Sequence, residues 1–175
     1  MTQYSKRMVI AHWLTLALLV AAWFLGESLA EATDNNQATL AGYIVHASVG
    51  GSVLLLTLMR LFFRSQDGTP TPMGSTLMDK VAKGIHHTLY TVLIVLPVSG
   101  VVTIATSTAG KSLLAGDATL LPKDGGFDDV FAHEIHETLV TVLIALVVVH
   151  VLGAIKHQFI MKDGLMSRMS LRKKD

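Results

Sequence analysis

Histidine is the residue type in this chain with the most potential for chemistry: the 175 residues include eight. A single buried histidine is usually a hydrogen-bonded packing residue, so a functional prediction requires several that agree in position. An ionisable side chain inside an apolar helix is costly and commonly has a function, and imidazole is an axial ligand of haem iron. Four of the histidines lie within long apolar stretches, namely His12, His46, His136 and His150.

The residue types exclude several other kinds of metal site. The chain contains no cysteine, so it forms no disulfides, thiolate metal sites or iron–sulfur clusters. His133 and His136 are three residues apart, whereas the histidines of a zinc-protease helix are four apart, which argues against zinc. His133 itself lies in an acidic loop and is interpreted as solvated.

The elements that position these histidines follow from the distribution of apolar residues. Only 15% of the chain is charged, against roughly a quarter in soluble domains. Four apolar runs reach the roughly 20 residues that span a bilayer as a helix, at about 8–26, 43–63, 86–105 and 136–157. Residues 16–25 and 139–149 are apolar all round, which argues against a soluble bundle. We predict an all-α, membrane-embedded four-helix bundle, with residues 1–175 forming a single domain.

The basic residues predict the orientation of this bundle. Twelve of the 14 Lys and Arg residues lie at the termini, in the connection between the second and third helices, or at the adjoining helix ends. Only Lys111 and Lys123 lie on the other side, among many carboxylates. By the positive-inside rule both termini are cytoplasmic. The expected environment is lipid, and no nucleic acid partner is expected.

The depths of the four histidines then predict two pairs. His136 and His150 are fourteen residues apart, roughly 21 Å along a helix and nearly on one face. Given the direction of each helix, His12 lies at the depth of His150, and His46 at the depth of His136. We call His12–His150 the inner pair and His46–His136 the outer pair. Two such pairs fit two six-coordinate haems between facing helices.

Other polar residues near the cytoplasmic boundary rank below these four. His86 and His87 begin the predicted third helix and His157 ends the fourth, close to the headgroups. We expect them to bind haem propionates or a quinone head, or to lie at the interface. Arg60 is expected to be an interfacial anchor, with pairing to an inner haem propionate as the alternative.

The third helix is predicted to pack against the others rather than to supply a ligand. Pro97 and Gly100 are expected to bend it, because proline removes a helical hydrogen bond.

Several segments together resemble the bacterial cytochrome b561 family, and the resemblance covers nearly the whole chain. It implies a four-helix protein of the bacterial inner membrane with two b haems, whose axial ligands fall on the inner and outer pairs. His86 matches a histidine at the start of the family's third helix. The segments that carry the resemblance are Tyr4-Ser5, Ala11-His12-Trp13-Leu14, His46-Ala47-Ser48-Val49-Gly50, Leu96-Pro97-Val98-Ser99-Gly100, His136-Glu137-Thr138-Leu139, His150, His157-Gln158-Phe159 and Lys162-Asp163.

The expected function is single-electron transfer through two stacked haems, between a periplasmic donor and the quinone pool. Some family members oxidise superoxide and reduce ubiquinone, but that activity favours positive charge near the outer site, where Lys111 and Lys123 are the only cations. An alternative is a membrane-anchor cytochrome that relays electrons for a periplasmic dehydrogenase or hydrogenase. A third hypothesis is a haem-free transporter with histidines as proton relays.

Overall fold

The computed structural model describes residues 3–72, 74–122, 124–127 and 130–172, and every regular element in these ranges is helical. Four helices in these ranges, Lys6–Asp34, Leu40–Asp67, Leu77–Thr106 and Phe131–Met161, are long and apolar enough to cross a membrane. The predicted all-α class with four spanning helices is confirmed. The elements are α1 Lys6–Asp34, α2 Leu40–Asp67, α3 Leu77–Thr106, α4 Thr108–Ala115, a 3-10 turn Ala118–Leu120, α5 Phe131–Ile155 continued by a π-helical segment Lys156–Met161, and a 3-10 turn Leu165–Met169.

The helices extend past the predicted apolar runs because their capping residues lie outside the hydrocarbon. Ser5 and Thr39 cap α1 and α2 by accepting backbone N–H groups. Thr76 and Asp79 form a capping box at the start of α3. That cap starts α3 nine residues before the predicted position, so His86 lies within a formed helix rather than at its first residue.

Helix α4 was not predicted; it lies in the connection between α3 and α5. Its N-cap is Ser107, whose hydroxyl accepts the Gly110 N–H at 3.2 Å. A β-carbon at position 110 would lie 1.7 Å from the Ile104 carbonyl oxygen, so this close turn requires glycine.

The four long helices pack as a chain of neighbours. Helix α1 packs mainly on α2, α2 also packs on α3, and α3 packs on α5. The apolar core lies at mid-depth, with Leu143 seven residues from both His136 and His150 on α5. An apolar layer therefore separates the two ends of the bundle; its buried members are Val53, Val92, Leu93, Leu96 and Leu143.

Both ends of the described chain meet at one end of this bundle. The Tyr4 N–H donates to the Arg168 carbonyl at 3.1 Å, and the Trp13 indole donates to the Met169 carbonyl at 3.1 Å. The Arg7 guanidinium pairs with the Asp67 carboxylate at the end of α2. The residues that follow α5 therefore fold back across the start of α1, at the end of the bundle that holds the inner pair.

Candidate haem-binding site

The structure brings together the two histidines of the outer pair. His46 on α2 and His136 on α5 have ring centres 6.2 Å apart, with ring planes at 76°. Both residues are half-buried. The pairing expected from depth alone is therefore present in the fold.

The inner pair shows the same separation near the other end of the bundle. His12 on α1 and His150 on α5 have ring centres 6.3 Å apart, with ring planes at 60°. These two residues are also half-buried. Two histidine pairs of nearly equal spacing thus lie on either side of the apolar core.

This spacing fits a metal ion between each pair of imidazoles. Metal–imidazole bonds are about 2 Å long, and a ring centre lies roughly 1 Å behind the ligating nitrogen. Two imidazoles on opposite sides of one metal therefore have ring centres about 6 Å apart. The ring planes can take any mutual angle about the common axis, so angles of 60° and 76° suit the arrangement equally.

The packing of the helices keeps apart the backbones that carry each histidine pair. Helix α5 packs on α3, and among the described residues it has little backbone contact with α1 or α2. Each histidine pair nevertheless joins α5 to one of those two helices. The paired imidazoles therefore face each other across helix pairs that are not in close contact, as haem ligation between facing helices requires.

The imidazole of His136 has hydrogen-bond partners on α3. Its Nδ1 lies 3.0 Å from the Leu96 carbonyl oxygen and 3.0 Å from the Ser99 hydroxyl. The Ser99 hydroxyl itself donates to Leu96 O at 2.7 Å, so its oxygen can accept from the imidazole. This arrangement fits a proton on Nδ1 and leaves Nε2 free as a ligand.

The imidazole of His46 lies against α1. A β-carbon at Gly26 would be 3.2 Å from His46 Cε1 and 3.6 Å from Nδ1. The ring lies near the Ala22 carbonyl, and its buried Nδ1 makes no regular hydrogen bond within the described part of the chain. A buried polar nitrogen of this kind ordinarily has a partner, and a bond from Nδ1 to that carbonyl would leave Nε2 available as a ligand.

The inner pair has side chains from α2 and α3 as neighbours. The ring of His86 lies 5.0 Å from that of His150, so α3 brings a third histidine close to the inner pair. The early start of α3 explains this position. The Arg60 guanidinium lies 5.4 Å from the centre of the Tyr90 ring, and its buried Nε has no hydrogen-bond partner among the described residues.

The remaining histidines lie away from the two pairs. His157 donates from Nδ1 to Asp163 at 2.5 Å, and this bond holds the pKa of the Asp163 carboxyl below its usual value. His87 bonds to the Lys83 carbonyl oxygen of its own helix. His133 lies in the first turn of α5, is half-buried and stacks its ring on Phe127, so the prediction that it is a solvated loop residue is wrong. The structure therefore does not bring His157 into contact with either pair.

Sequence reasoning missed the residues that surround the outer pair. Leu96, Ser99 and Gly100 were noted only as part of a family-like segment or as a bend in α3. The sequence does carry a signal for their role: Ser99 is one of the few polar residues in the apolar run 86–105. A glycine on a spanning helix next to a histidine layer is the second such signal.

The chain is similar to known proteins over nearly its whole length. The chain matches the family model of prokaryotic cytochrome b561 over residues 3–170. It is 29% identical over 173 residues to cytochrome b562 of Cereibacter sphaeroides, covering 95% of this chain and 94% of the relative. It is 26% identical to the probable superoxide oxidase CybB of Yersinia pestis, covering 98% of both chains. It is also 25% identical to cytochrome b561 homolog 1 of Escherichia coli K12, covering 99% of this chain and 100% of the relative.

Proposed function

The chain belongs to the prokaryotic cytochrome b561 family of bacterial membrane electron-transfer proteins, and on that premise we propose that it exchanges single electrons between a periplasmic donor and the quinone pool. The membrane in this proposal is the bacterial inner membrane, with both termini in the cytoplasm. The distribution of Lys and Arg supports that orientation. Ubiquinone is the proposed acceptor.

The observation that carries the proposal is the recurrence of one ring spacing at two depths. His46 and His136 would hold one haem b near the outer face, and His12 and His150 a second near the inner face. Bound haem b would supply reversible one-electron chemistry at iron. The chain's own contribution is to fix the two imidazoles on either side of each iron and to surround them with apolar helix.

The ligand set limits the type of reaction. With two imidazoles of this chain on each bound iron, no coordination position would remain open for oxygen or substrate. Donor and acceptor would therefore exchange electrons at the edges of the site, without bonding to the metal. What this chain controls is access to those edges and the charge around them.

Arg60 is proposed to pair with a propionate of the inner haem. It follows His46 on α2 by fourteen residues, the spacing that separates His136 from His150 on α5. Helix α2 therefore has a cation at the inner depth, where α5 has a ligand. A charged group inside a membrane protein needs a partner, and a propionate would supply the carboxylate that Arg60 lacks among the described residues.

His86 is proposed to lie at the edge of the inner site. Its ring is 5.0 Å from that of His150, but its Nδ1 bonds to the Ala82 carbonyl oxygen at 2.7 Å and the residue is exposed. These features suit a group that binds a propionate or a quinone head better than a buried axial ligand. His157 is a weaker candidate for that role because Asp163 already occupies its Nδ1.

Superoxide is the most specific donor that we propose. In the balanced reaction two superoxide anions become two dioxygen molecules, and one ubiquinone takes up the two electrons with two protons to become ubiquinol. The similarity to a probable superoxide oxidase supports this choice. Lys111, exposed on α4 between α3 and α5, would attract the anion to an otherwise acidic face.

The test is a superoxide–ubiquinone assay on the purified full chain in detergent. We expect a red protein with a b-type reduced-minus-oxidised spectrum and quinol formation that depends on superoxide. A matched His136→Ala variant should lose the activity. A colourless protein would contradict the haem proposal. A red protein that is inactive and copurifies with a soluble oxidoreductase would replace the proposed function with that of a membrane-anchor cytochrome.

A further inference from the structure

Each imidazole of the outer pair lies against a glycine of the helix beside its own. For His136 the glycine is Gly100 of α3, where an added β-carbon would be 3.1 Å from Cε1 and 3.3 Å from Nδ1. For His46 it is Gly26 of α1, with the corresponding distances 3.2 and 3.6 Å. We propose that these glycines form two matched seats that position the outer haem ligands, an inference that rests on the proposed haem site.

The two seats share the same arrangement of helix backbone. The carbonyl that faces His136 belongs to Leu96, and the one that faces His46 belongs to Ala22. Each of these residues precedes the seat glycine by four positions. In a helix the carbonyl of residue i points towards residue i+4, whose β-carbon is tilted back over it. A glycine at i+4 therefore leaves that carbonyl open to a second donor from a neighbouring helix.

The second donor in each seat is an imidazole N–H. At His136 the Leu96 oxygen and the Ser99 hydroxyl both lie 3.0 Å from Nδ1, which fixes the proton on that nitrogen. At His46 the Ala22 carbonyl lies near the ring, and we expect it to accept from Nδ1 when haem is bound, since that nitrogen has no other partner among the described residues. The seats thus select the tautomer that presents Nε2 to the metal.

The seats are confined to the outer pair in the part of the chain that the structure describes. An added β-carbon at Gly84 on α3 or at Gly153 on α5, the glycines nearest in sequence to the inner-layer histidines, meets no atom within 4 Å. A hydrogen bond from Nδ1–H to an acceptor makes the imidazole a more basic ligand and stabilises oxidised iron. The seats therefore lower the reduction potential of the outer haem and have no counterpart at the inner one.

The decisive variants are Gly100→Ala and Gly26→Ala, with Gly84→Ala as the matched control. Alanine in a helix interior is favoured over glycine by about 1 kcal/mol, so a loss of haem cannot be attributed to a weaker helix. We expect each seat variant to displace its imidazole and weaken outer-haem retention about 10-fold or more, the usual cost of losing a ligand's supporting partner. Gly84→Ala, in an exposed position on α3, should retain both haems.

A milder variant, Ser99→Ala, tests the effect on the potential. Its matched control is Thr103→Val, which removes a buried hydroxyl one turn away that donates only to the Ser99 carbonyl. The potential is measured on protein that carries the outer haem alone, in a background that combines His150→Ala with His86→Ala. We expect Ser99→Ala to raise that potential while Thr103→Val leaves it unchanged.

The outcomes separate this inference from the proposed function. If the wild-type protein contains no haem, the proposed function fails and the seats have no ligand to position. If both haems bind but Gly100→Ala and Gly26→Ala retain the outer haem as well as Gly84→Ala does, the seat proposal is overturned. An outer-haem potential that shifts equally in Ser99→Ala and Thr103→Val would overturn the role of Ser99.

Discussion

The two histidine pairs have nearly the same ring separation, 6.2 and 6.3 Å, but quite different surroundings. The outer pair lies against helix backbone, with a glycine of α1 or α3 behind each ring. The inner pair has polar side chains nearby, including a further histidine on α3 and an arginine on α2 whose buried Nε has no hydrogen-bond partner among the described residues. The same ring spacing thus occurs in two different settings. Backbone seats restrict the rings of the outer pair, whereas a polar cluster leaves the rings of the inner pair adjustable.

The largest expected effect comes from removing one histidine from each pair. His136→Ala should remove the outer haem and His150→Ala the inner one, because imidazole is the only bond from α5 to each iron. Each variant should contain one haem in place of two. Redox titration should show that the two variants retain haems with different potentials.

The inner variant is the more informative one. His86 lies close enough to His150 to replace it in part, whereas among the described residues the ring of His136 is in contact with no histidine ring other than that of its partner His46. We expect His150→Ala to retain part of its inner haem and the double variant with His86→Ala to lose it. That result would sharpen the contrast between an adjustable inner site and a fixed outer one. Loss of both haems from either single variant would contradict independent sites.

The charge of Arg60 should set the inner potential. A cation near the haem destabilises oxidised iron relative to reduced iron. Arg60→Gln removes that cation, so the reduction potential of the inner haem should fall. At an effective dielectric constant near 20 the effect is about 1–2 kcal/mol in favour of oxidised iron. Arg64→Gln, one turn further along α2, is the control. An equal shift in both variants, or a shift in the outer potential alone, would argue against the propionate pairing.

A smaller effect is expected from Lys111 at the outer face. Lys111→Glu places another anion on a face that already carries many carboxylates, so it should slow superoxide oxidation severalfold at low salt. The difference should shrink as salt screens the charges. Haem content and both potentials should stay unchanged. A rate that is insensitive to Lys111 would argue against steering of the anion by this residue.

The smallest effect concerns the segment that folds back near the inner pair. The pKa of Asp163 is lowered because His157 donates a hydrogen bond to its carboxylate. The stabilisation is therefore present above the ordinary aspartate pKa of about 3.9 and is lost as pH falls through the lowered value. Trp13, whose indole bonds to Met169, should report this loosening by fluorescence.

Asp163→Asn provides the control for that measurement. The variant should lack the acid step in Trp13 fluorescence while its outer-haem potential remains unchanged. An identical acid transition in wild type and variant would assign the step to another carboxyl group.

Much of the fold was predictable because lipid imposes a simple rule on sequence. Each spanning helix needs about 20 apolar residues, and the runs that contain His12, His46 and His136 meet it. The helix ends were not predictable from hydropathy, since Thr76 and Asp79 cap α3 well outside the apolar run. Helix α4 escaped prediction for the same reason: eight residues without a spanning run give no hydropathy signal.

Some residues of the site were likewise predictable from the sequence and others were not. The four histidines could be paired because the rise per residue and the direction of each helix determine how deep each histidine lies in the membrane. The same reasoning could not rank His86, whose approach to His150 depends on where α3 begins. It also could not identify Gly26 or Gly100, because a glycine seat exists only once two helices have been placed side by side.

The most direct test of the central claim is the amount of haem b per chain in the purified wild-type protein, measured by its pyridine haemochrome spectrum against total protein. Two histidine pairs with metal-like spacing predict two haems per chain, and a redox titration that resolves into two components. One haem per chain would contradict one of the two pairs. A protein that contains no haem would contradict the whole account.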